Sequence, residues 1–494
     1  MKKVWKYLII TILLLTGLFF AGLLFLFFVP SSSIFGITFI SHNERLISKD
    51  YKLENVNQIV LNSRSYDIEV FSTSSSNLSV RVEGHSLGYV TKNNSKLLLK
   101  EELTNGILTF TIVEPYGAAF KNSSKITLYI PEASKDKQIS LTLSNENANV
   151  NIDSSKIYIK NLDYSAKDGN VELKNVNISG NLNLDLHKTN FYINSNAEIN
   201  NANVDLKLTT GKFDASKSSL GIVNILSNER GVIKLNSCSS INQVAKTTGG
   251  RIEANNVNNI SYSGSDTNIY INEINYSTTI TLTNSGEIVI NKLSGIAEIT
   301  TNTWNITIKN CTSNLTNLST TSKKGDISIN TAYCKVFAQT TSGNITTTFA
   351  EDAGTITQAD QNIRYFKAIT ETGKISATGV NKAEIEIKEN GSLDLTYAHF
   401  NKNQSVKNII KSNNGDIHIQ VDNLSSFVLK SKINSGNSRI NLSQTDKFKG
   451  WTEKEVNENI NYEKNETIND QLANLIDIDI TGSGNLLMHD NKVN

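Results

Sequence analysis

Only three prolines occur in the 494 residues, Pro30, Pro115 and Pro131, and none lies beyond residue 131. Proline cannot donate a ladder hydrogen bond, so its exclusion from a long stretch is what strands paired on both edges require. Cysteine is equally scarce. Cys238, Cys311 and Cys334 stand 73 and 23 residues apart, spacings that fit no zinc or redox motif. They read as small buried apolar side chains, with a disulfide between Cys311 and Cys334, about one repeat apart, as the alternative outside a cell. The six histidines, His42, His85, His187, His399, His418 and His489, show no two at ligand spacing and read as surface side chains. No metal site and no cofactor are expected. Aromatics make up 7% of the chain, and neither Trp304 nor Trp451 sits in a cluster that would stack on sugar rings. Neither charge dominates: 48 basic residues face 47 acidic ones, and setting aside Lys2, Lys3 and Lys6 leaves 45 against 47. No basic stripe is present, which excludes nucleic acid as a partner.

What is present is one phrase used many times: a turn residue, a glycine, one variable position, then apolar residues at every second place. It reads SNNGDIHI at 412–419, DGNVEL at 168–173, TGKFDA at 210–215, GGRIEA at 249–254, KGDISI at 324–329, SGNITT at 342–347, TGKISA at 372–377 and SGNLLM at 483–488. Each copy predicts a tight turn leading into a half-buried strand. Gly211 to Gly231, Gly325 to Gly343 and Gly373 to Gly391 are each about 18 to 20 residues apart, the period of a repeat array. Wider gaps hold copies without glycine, SDTNIYI at 265–271 and NTWNITI at 302–308, where Asn or Asp takes the turn. One such unit cannot bury its apolar side alone, so the units must stack. The expected fold is all-β: a β-solenoid of the parallel β-helix kind, with coils of about 18 to 20 residues.

The chain begins MKKVWKY and continues with an unbroken apolar run from Leu8 to Val29, long enough to cross a bilayer. Lysines precede it and no acid occurs before Glu44, which places residues 1–7 in the cytoplasm and the body outside. The run lacks the small-residue cleavage site of a signal peptide and is read as an uncleaved anchor, a single transmembrane helix over 8–29. No cysteine follows it, which removes a lipoprotein. Residues 30–50 read as a juxtamembrane spacer. Over 51–140, runs such as YDIEVF, NLSVRVEG and ILTFTIV alternate with turn clusters, a strand meander that caps the open end of the stack. The repeats proper occupy 141–442, a polar insertion 443–474, and a terminal repeat 475–494.

KITLYIPEASKDKQISLTLSNENANVNI at 125–152 and the closing LIDIDITGSGNLLMH at 475–489 resemble the bacterial "putative adhesin" family of DUF4097 β-strand repeat proteins. There a short meander ends in a strand with a proline, followed by strands of the type turn-Gly-x-Ile-x-Ile. The resemblance spans roughly residues 50 to 490. It implies a surface-exposed, membrane-tethered β-helical protein without catalytic residues.

Alternation also predicts what faces outward. The residue between the two apolar positions of each copy should point to solvent: Glu172, Asp214, Lys234, Glu253, Tyr270, Val289, Thr307, Ser328, Thr346, Ser376, Asp394 and His418. A glycan-cleaving β-helix would need paired carboxylates on adjacent coils of one face. Only Asp214, Lys234 and Glu253 put charges on consecutive copies, and their alternating sign suits ion pairs, so no catalytic residue is assigned. The expectation is a single-pass protein of the cell membrane with an extracytoplasmic body, an adhesin or envelope scaffold that meets a surface glycan or protein and performs no catalysis. Side-by-side self-association of such bodies is a further expectation left open. The alternatives are an accessory or sensor component of an envelope-stress system and a carbohydrate-active β-helix.

Overall fold

A computed structural model describes residues 2–28, 31–34, 37–40, 46–47, 51–90, 99–112, 116–132, 137–194, 197–199, 201–244, 249–312, 317–350, 364–398, 406–422, 427–433, 440–442, 452–456, 459–463 and 474–491. The expectations for Val29, Pro30, His42, Pro115, His399 and Trp451 lie outside these residues, as do those for the side chains of His85 and His489. The helix Lys2–Phe28 carries no acidic residue in its first turn. Its segment Val4–Gly22 has a mean hydropathy of 2.0, none of it buried, so it is long and apolar enough to cross a membrane. Its two threonine hydroxyls are satisfied within the helix: Thr11 donates to the carbonyl of Tyr7 at 2.9 Å and Thr16 to that of Ile12 at 2.7 Å. By contacts the chain divides into two compact units, Met1–Asn224 and Ile225–Asn494.

The first unit begins with the cap. Strand Gln58–Asn62 lies parallel to Ile107–Ile112, which is closed by the antiparallel strand Leu99–Thr104. Strand Asp67–Thr73 lies parallel to Tyr116–Pro131, which pairs antiparallel with Asn77–Val90. These strands form because apolar residues alternate along them. Ile59, Leu61, Ile68, Val70, Val80, Leu108, Phe110 and Leu128 are all fully buried. Leu99–Thr104 reads LKEELT, so the outer edge presents Lys100, Glu101 and Glu102, charges that discourage edge pairing with another chain. Pro131 is the last residue of its strand, where a missing N–H costs little. Onto this cap the coils stack in parallel: Ile139–Asn147 with Val150–Asp153, then Tyr158–Lys174, Asn181–Ile193, and Asn203–Leu208 with Lys212–Asn228. Side-chain bonds between successive coils join residues 19 to 23 positions apart, close to the expected period.

In the second unit two parallel ladders run side by side, so each coil contributes two strands whose inner side chains meet. One ladder follows Ile269 to Ile288, Ile306, Ile327, Ile345, Ile375, Leu393, Ile417 and Leu486. The other follows Ala297 to Leu318, Val336, Phe366 and Ala383. All of these residues are buried. The fold is a β-solenoid with a strand-meander cap and one N-terminal apolar helix.

The stacking order departs from chain order at the C-terminal end. Strand Leu475–Ile480 pairs with Lys407–Asn414 on one side and Val428–Ile433 on the other. Strand Leu486–Asn491 likewise lies between Ile417–Asp422 and Ile440–Leu442. The final repeat of the sequence is therefore interposed between two coils that follow each other in the chain. Charge alternates in this order: Lys411 is in register with Asp479, which is in register with Lys432. Direct stacking of 428–433 on 407–414 in the same register would set Lys411 against Lys432. From the polar insertion, Thr452–Val456 and Asn459–Glu463 form a separate antiparallel hairpin.

Candidate functional site

The turn that opens each strand positions the outer face. In SKKGDI, TTSGNI and TETGKI, a Ser or Thr three residues before the glycine points inward and accepts the glycine N–H. Gly325 donates to Ser322 Oγ, Gly343 to Thr340 Oγ1 and Gly373 to Thr370 Oγ1, each at 2.9 Å. These hydroxyl residues are buried, and the signal that finds them is Ser or Thr followed by two residues and glycine. The variable position after the glycine then links coils. Asn305 Oδ1 accepts the N–H of Asp326 at 2.8 Å, Asp326 Oδ1 that of Asn344 at 2.7 Å, and Asn344 Oδ1 that of Lys374 at 3.1 Å. In the glycine-less copies the Asn does the same work: Asn268 Oδ1 accepts the N–H of Glu287 at 3.0 Å. Replacing Thr370 with Val keeps the shape and leaves the Gly373 N–H without its acceptor. That loss is expected to cost about 1–3 kcal/mol, read as faster amide exchange across 371–377, with Thr370→Ser close to wild type.

Every one of the twelve positions expected to face outward is half-buried or exposed between two buried neighbours. Register brings them into columns. In the second unit Tyr270, Val289, Thr307, Ser328, Thr346, Ser376, Asp394 and His418 stand in line, and Leu487 continues it. Lys234 and Glu253 are in register as well. In the first unit Glu172, Tyr192 and Asp214 form the corresponding column. Alternation alone passed over Tyr192 because no turn glycine precedes FYI at 191–193; stepping back about one coil from Asp214 would have found it. A second outer column of the first unit is a polar ladder. Gln58 donates to Thr142 at 3.0 Å, Thr142 to Asp163 at 3.3 Å, Asn183 to Asp163 at 2.5 Å and Asn224 to Asp205 at 2.8 Å.

Three carboxylates of the first two columns and of the Lys234–Glu253 pair are engaged with cations. Asp214 lies 2.6 Å from Lys212 in its own strand, and Glu253 lies 2.9 Å from Lys234 with Arg251 also upon it. Asp394 is held by Lys374 and lies 3.3 Å from His418. Partial burial pushes each of the three carboxyls up, but these cations, and for Asp214 the Ser216 hydroxyl and N–H, outweigh it and leave all three below the usual carboxylate range. Groups held ionised in this way do not supply a proton at neutral pH. Aromatic rings join the same clusters: the Arg251 guanidinium lies 4.4 Å from the Tyr270 ring centre and Lys382 Nζ 4.6 Å from that of Tyr365. Because the folded carboxyls titrate below their unfolded values, their contribution is present above the unfolded range and lost as pH falls through the folded one. The melting temperature is therefore expected to hold between about pH 7 and 5 and to drop below about pH 4, as a calorimetric pH series would show.

Other chemistry-bearing residues are placed simply. Cys238, Cys311 and Cys334 are all buried, their sulfurs unbonded in this structure. Burial pushes the Cys238 thiol up to about 12. Trp304 is 48% exposed, and its carbonyl accepts the Thr301 and Ser322 hydroxyls at 2.7 and 3.2 Å. Among the described residues no three His, Cys, Asp or Glu side chains gather as a metal site. A shallow cavity of 240 Å³ in the first unit is lined by Gln138, Tyr158, Ile159, Asn177, Ile178, Ser179 and Glu198. Ser179 there donates to Gln138 at 2.8 Å, and Glu198 is the single carboxylate of the lining.

A search of curated proteins found no match. Three solved structures align over long stretches at low similarity. A "putative cell adhesion protein" from Clostridium sporogenes is 9% identical, with 91% of this chain and 100% of that one covered and a TM-score of 0.18. A "putative adhesin" from Bacteroides fragilis is 15% identical, covering 58% and 96%, with a TM-score of 0.22. Another from Parabacteroides distasonis is 11% identical, covering 71% and 97%, with a TM-score of 0.16. The family model described as Toastrack DUF4097 matches residues 56–349, more than half of the chain and all of it within the cap and the stacked coils. The chain belongs to the Toastrack DUF4097 family.

Proposed function

We propose that this is a membrane-anchored surface protein whose coils stand outside the cytoplasm and offer their outer faces for contact, as an adhesin or envelope scaffold without catalysis. The observation that carries this reading is the outward column of the second unit. From Val289 to Ser376 it presents uncharged residues on successive strands. Asp394, further along, is paired with Lys374 and His418. A row of hydroxyls on a backbone held by hydrogen bonds from both neighbours is a preorganised contact surface, and ligand contact there loses little backbone entropy. The apolar segment Val4–Gly22, preceded by Lys2 and Lys3, supports an anchor with the body outside.

The test is an array of glycans and matrix proteins probed with the full chain in detergent micelles, alongside a polysaccharide panel assayed for cleavage. Saturable binding without cleavage is the expected result. Cleavage of any polysaccharide would overturn the non-catalytic reading, and absence of binding throughout would overturn the contact role.

A further inference from the structure

Strand Ile306–Cys311 and strand Ile327–Ala332 are neighbours in one ladder, with Cys311 in register with Ala332. After Ala332 the chain turns, and the Tyr333 N–H donates to the Cys311 carbonyl at 2.9 Å. That bond holds the turn against Cys311, and Cys334 comes next. Both cysteines are fully buried, and their side chains lie within hydrogen-bond reach of each other, one from each coil. Cys238 pairs in register with Val257, several coils away in the stack.

We propose that Cys311 and Cys334 close a disulfide between neighbouring coils while the chain folds outside the cytoplasm, the oxidant being the disulfide of a thiol–disulfide exchange partner. The thiolate of one cysteine attacks the partner's disulfide and releases one partner thiolate. The thiolate of the second cysteine then displaces the other, so two chain thiols are oxidised and one disulfide is reduced to two thiols, which take up the two protons. Timing follows from burial. In the finished coil the Cys311 thiol beside it, together with burial, holds Cys334 protonated far above the ordinary thiol range. The attacking thiolate is therefore available before the corner closes and scarce afterwards. The inference rests on the extracytoplasmic reading of the body for its oxidising compartment.

The experiment compares the full chain taken from membranes with the full chain denatured, reduced and refolded in detergent with reduced and oxidised glutathione. Each is denatured in an alkylating reagent without reductant and digested with trypsin, which can cut after Lys323 and Lys324, between the two cysteines. The expected result in both preparations is a joined peptide pair containing Cys311 and Cys334, lighter by two hydrogens, with Cys238 alkylated. In the Cys334→Ser chain, Cys311 and Cys238 are both expected to be alkylated. A link in the refolded chain alone supports the pairing and contradicts the location. Alkylation of all three cysteines in both preparations, or a link from Cys238 to either of the others, overturns the proposal.

Discussion

A chain cut after Asn474 is expected to lose order upstream of the cut, across 406–422, 427–433 and 440–442, as well as the coil removed. The coil 475–491 has neighbours on both sides, so its loss strips a ladder from Lys407–Asn414 and from Val428–Ile433 at once. Ile476, Ile478, Ile480, Leu486 and Met488 are buried, and at about 1.5–3 kcal/mol for each such side chain the loss is on the order of 10 kcal/mol. Asn408 makes the break sharper. It is fully buried, its Oδ1 accepts the Ala383 N–H at 2.8 Å, and its Nδ2 donates to the Leu475 carbonyl at 3.2 Å, a bond that truncation removes. Closing the gap by moving 428–433 onto 407–414 in the same register would oppose Lys411 with Lys432. Hydrogen exchange should therefore show 427–433 and 440–442 unprotected in the truncated chain and 406–422 weakened. Retained protection over 427–433 and 440–442 would mean that the coil restacks directly and that the opposed lysines do not prevent it.

Gly373→Ala is expected to be among the most damaging single methyls that the chain can acquire in its turns, costing about 3 kcal/mol or more. A Cβ on Gly373 would run into the carbonyl oxygen of Gly343 in the preceding coil, which is backbone and cannot swing aside. The same collision recurs along the column. A Cβ on Gly343 meets the carbonyl of Gly325, one on Gly391 meets Gly373, one on Gly415 meets Gly391, and one on Gly484 meets Gly415. At Gly415 a φ of +136° adds backbone strain to the clash, so Gly415→Ala should be at least as harmful. Gly17→Ala is the control, since nothing lies within 4 Å of an added Cβ there and alanine is the better helix former. Melting temperature and exchange across 341–376 would read the effect. A change below about 0.5 kcal/mol at Gly373 would contradict the packing described.

The repeat was legible in the sequence because its physics is local. Alternation of apolar residues named which side chains face out, and glycine at each turn marked where one coil begins. The reason for the glycines was only half legible. Gly169, Gly211 and Gly415 do take positive φ, as a turn requires, while Gly343 and Gly373 are needed because the preceding coil passes too close for a Cβ. Stacking order was not legible at the end of the chain, since a period of about 20 residues says that coils stack but not which coil lies on which. The alternation of Lys411, Asp479 and Lys432 is one mark of that order, and these residues, far apart in sequence, line up only once register is known. The ring and cation clusters were hidden for the same reason. Tyr270 and Arg251 are 19 positions apart and meet only through the stack.

The central claim is that alternate residues of each strand face solvent on a body held outside the membrane, and one labelling experiment addresses both parts. Thr346→Cys and Ile345→Cys chains are expressed separately in intact cells and exposed to a membrane-impermeant maleimide. Thr346 is exposed and Ile345 fully buried. The account predicts labelling of Thr346→Cys on intact cells and none of Ile345→Cys until the protein is denatured. Labelling of Thr346→Cys only after lysis would contradict the location, and equal labelling of both chains on intact cells would contradict the register.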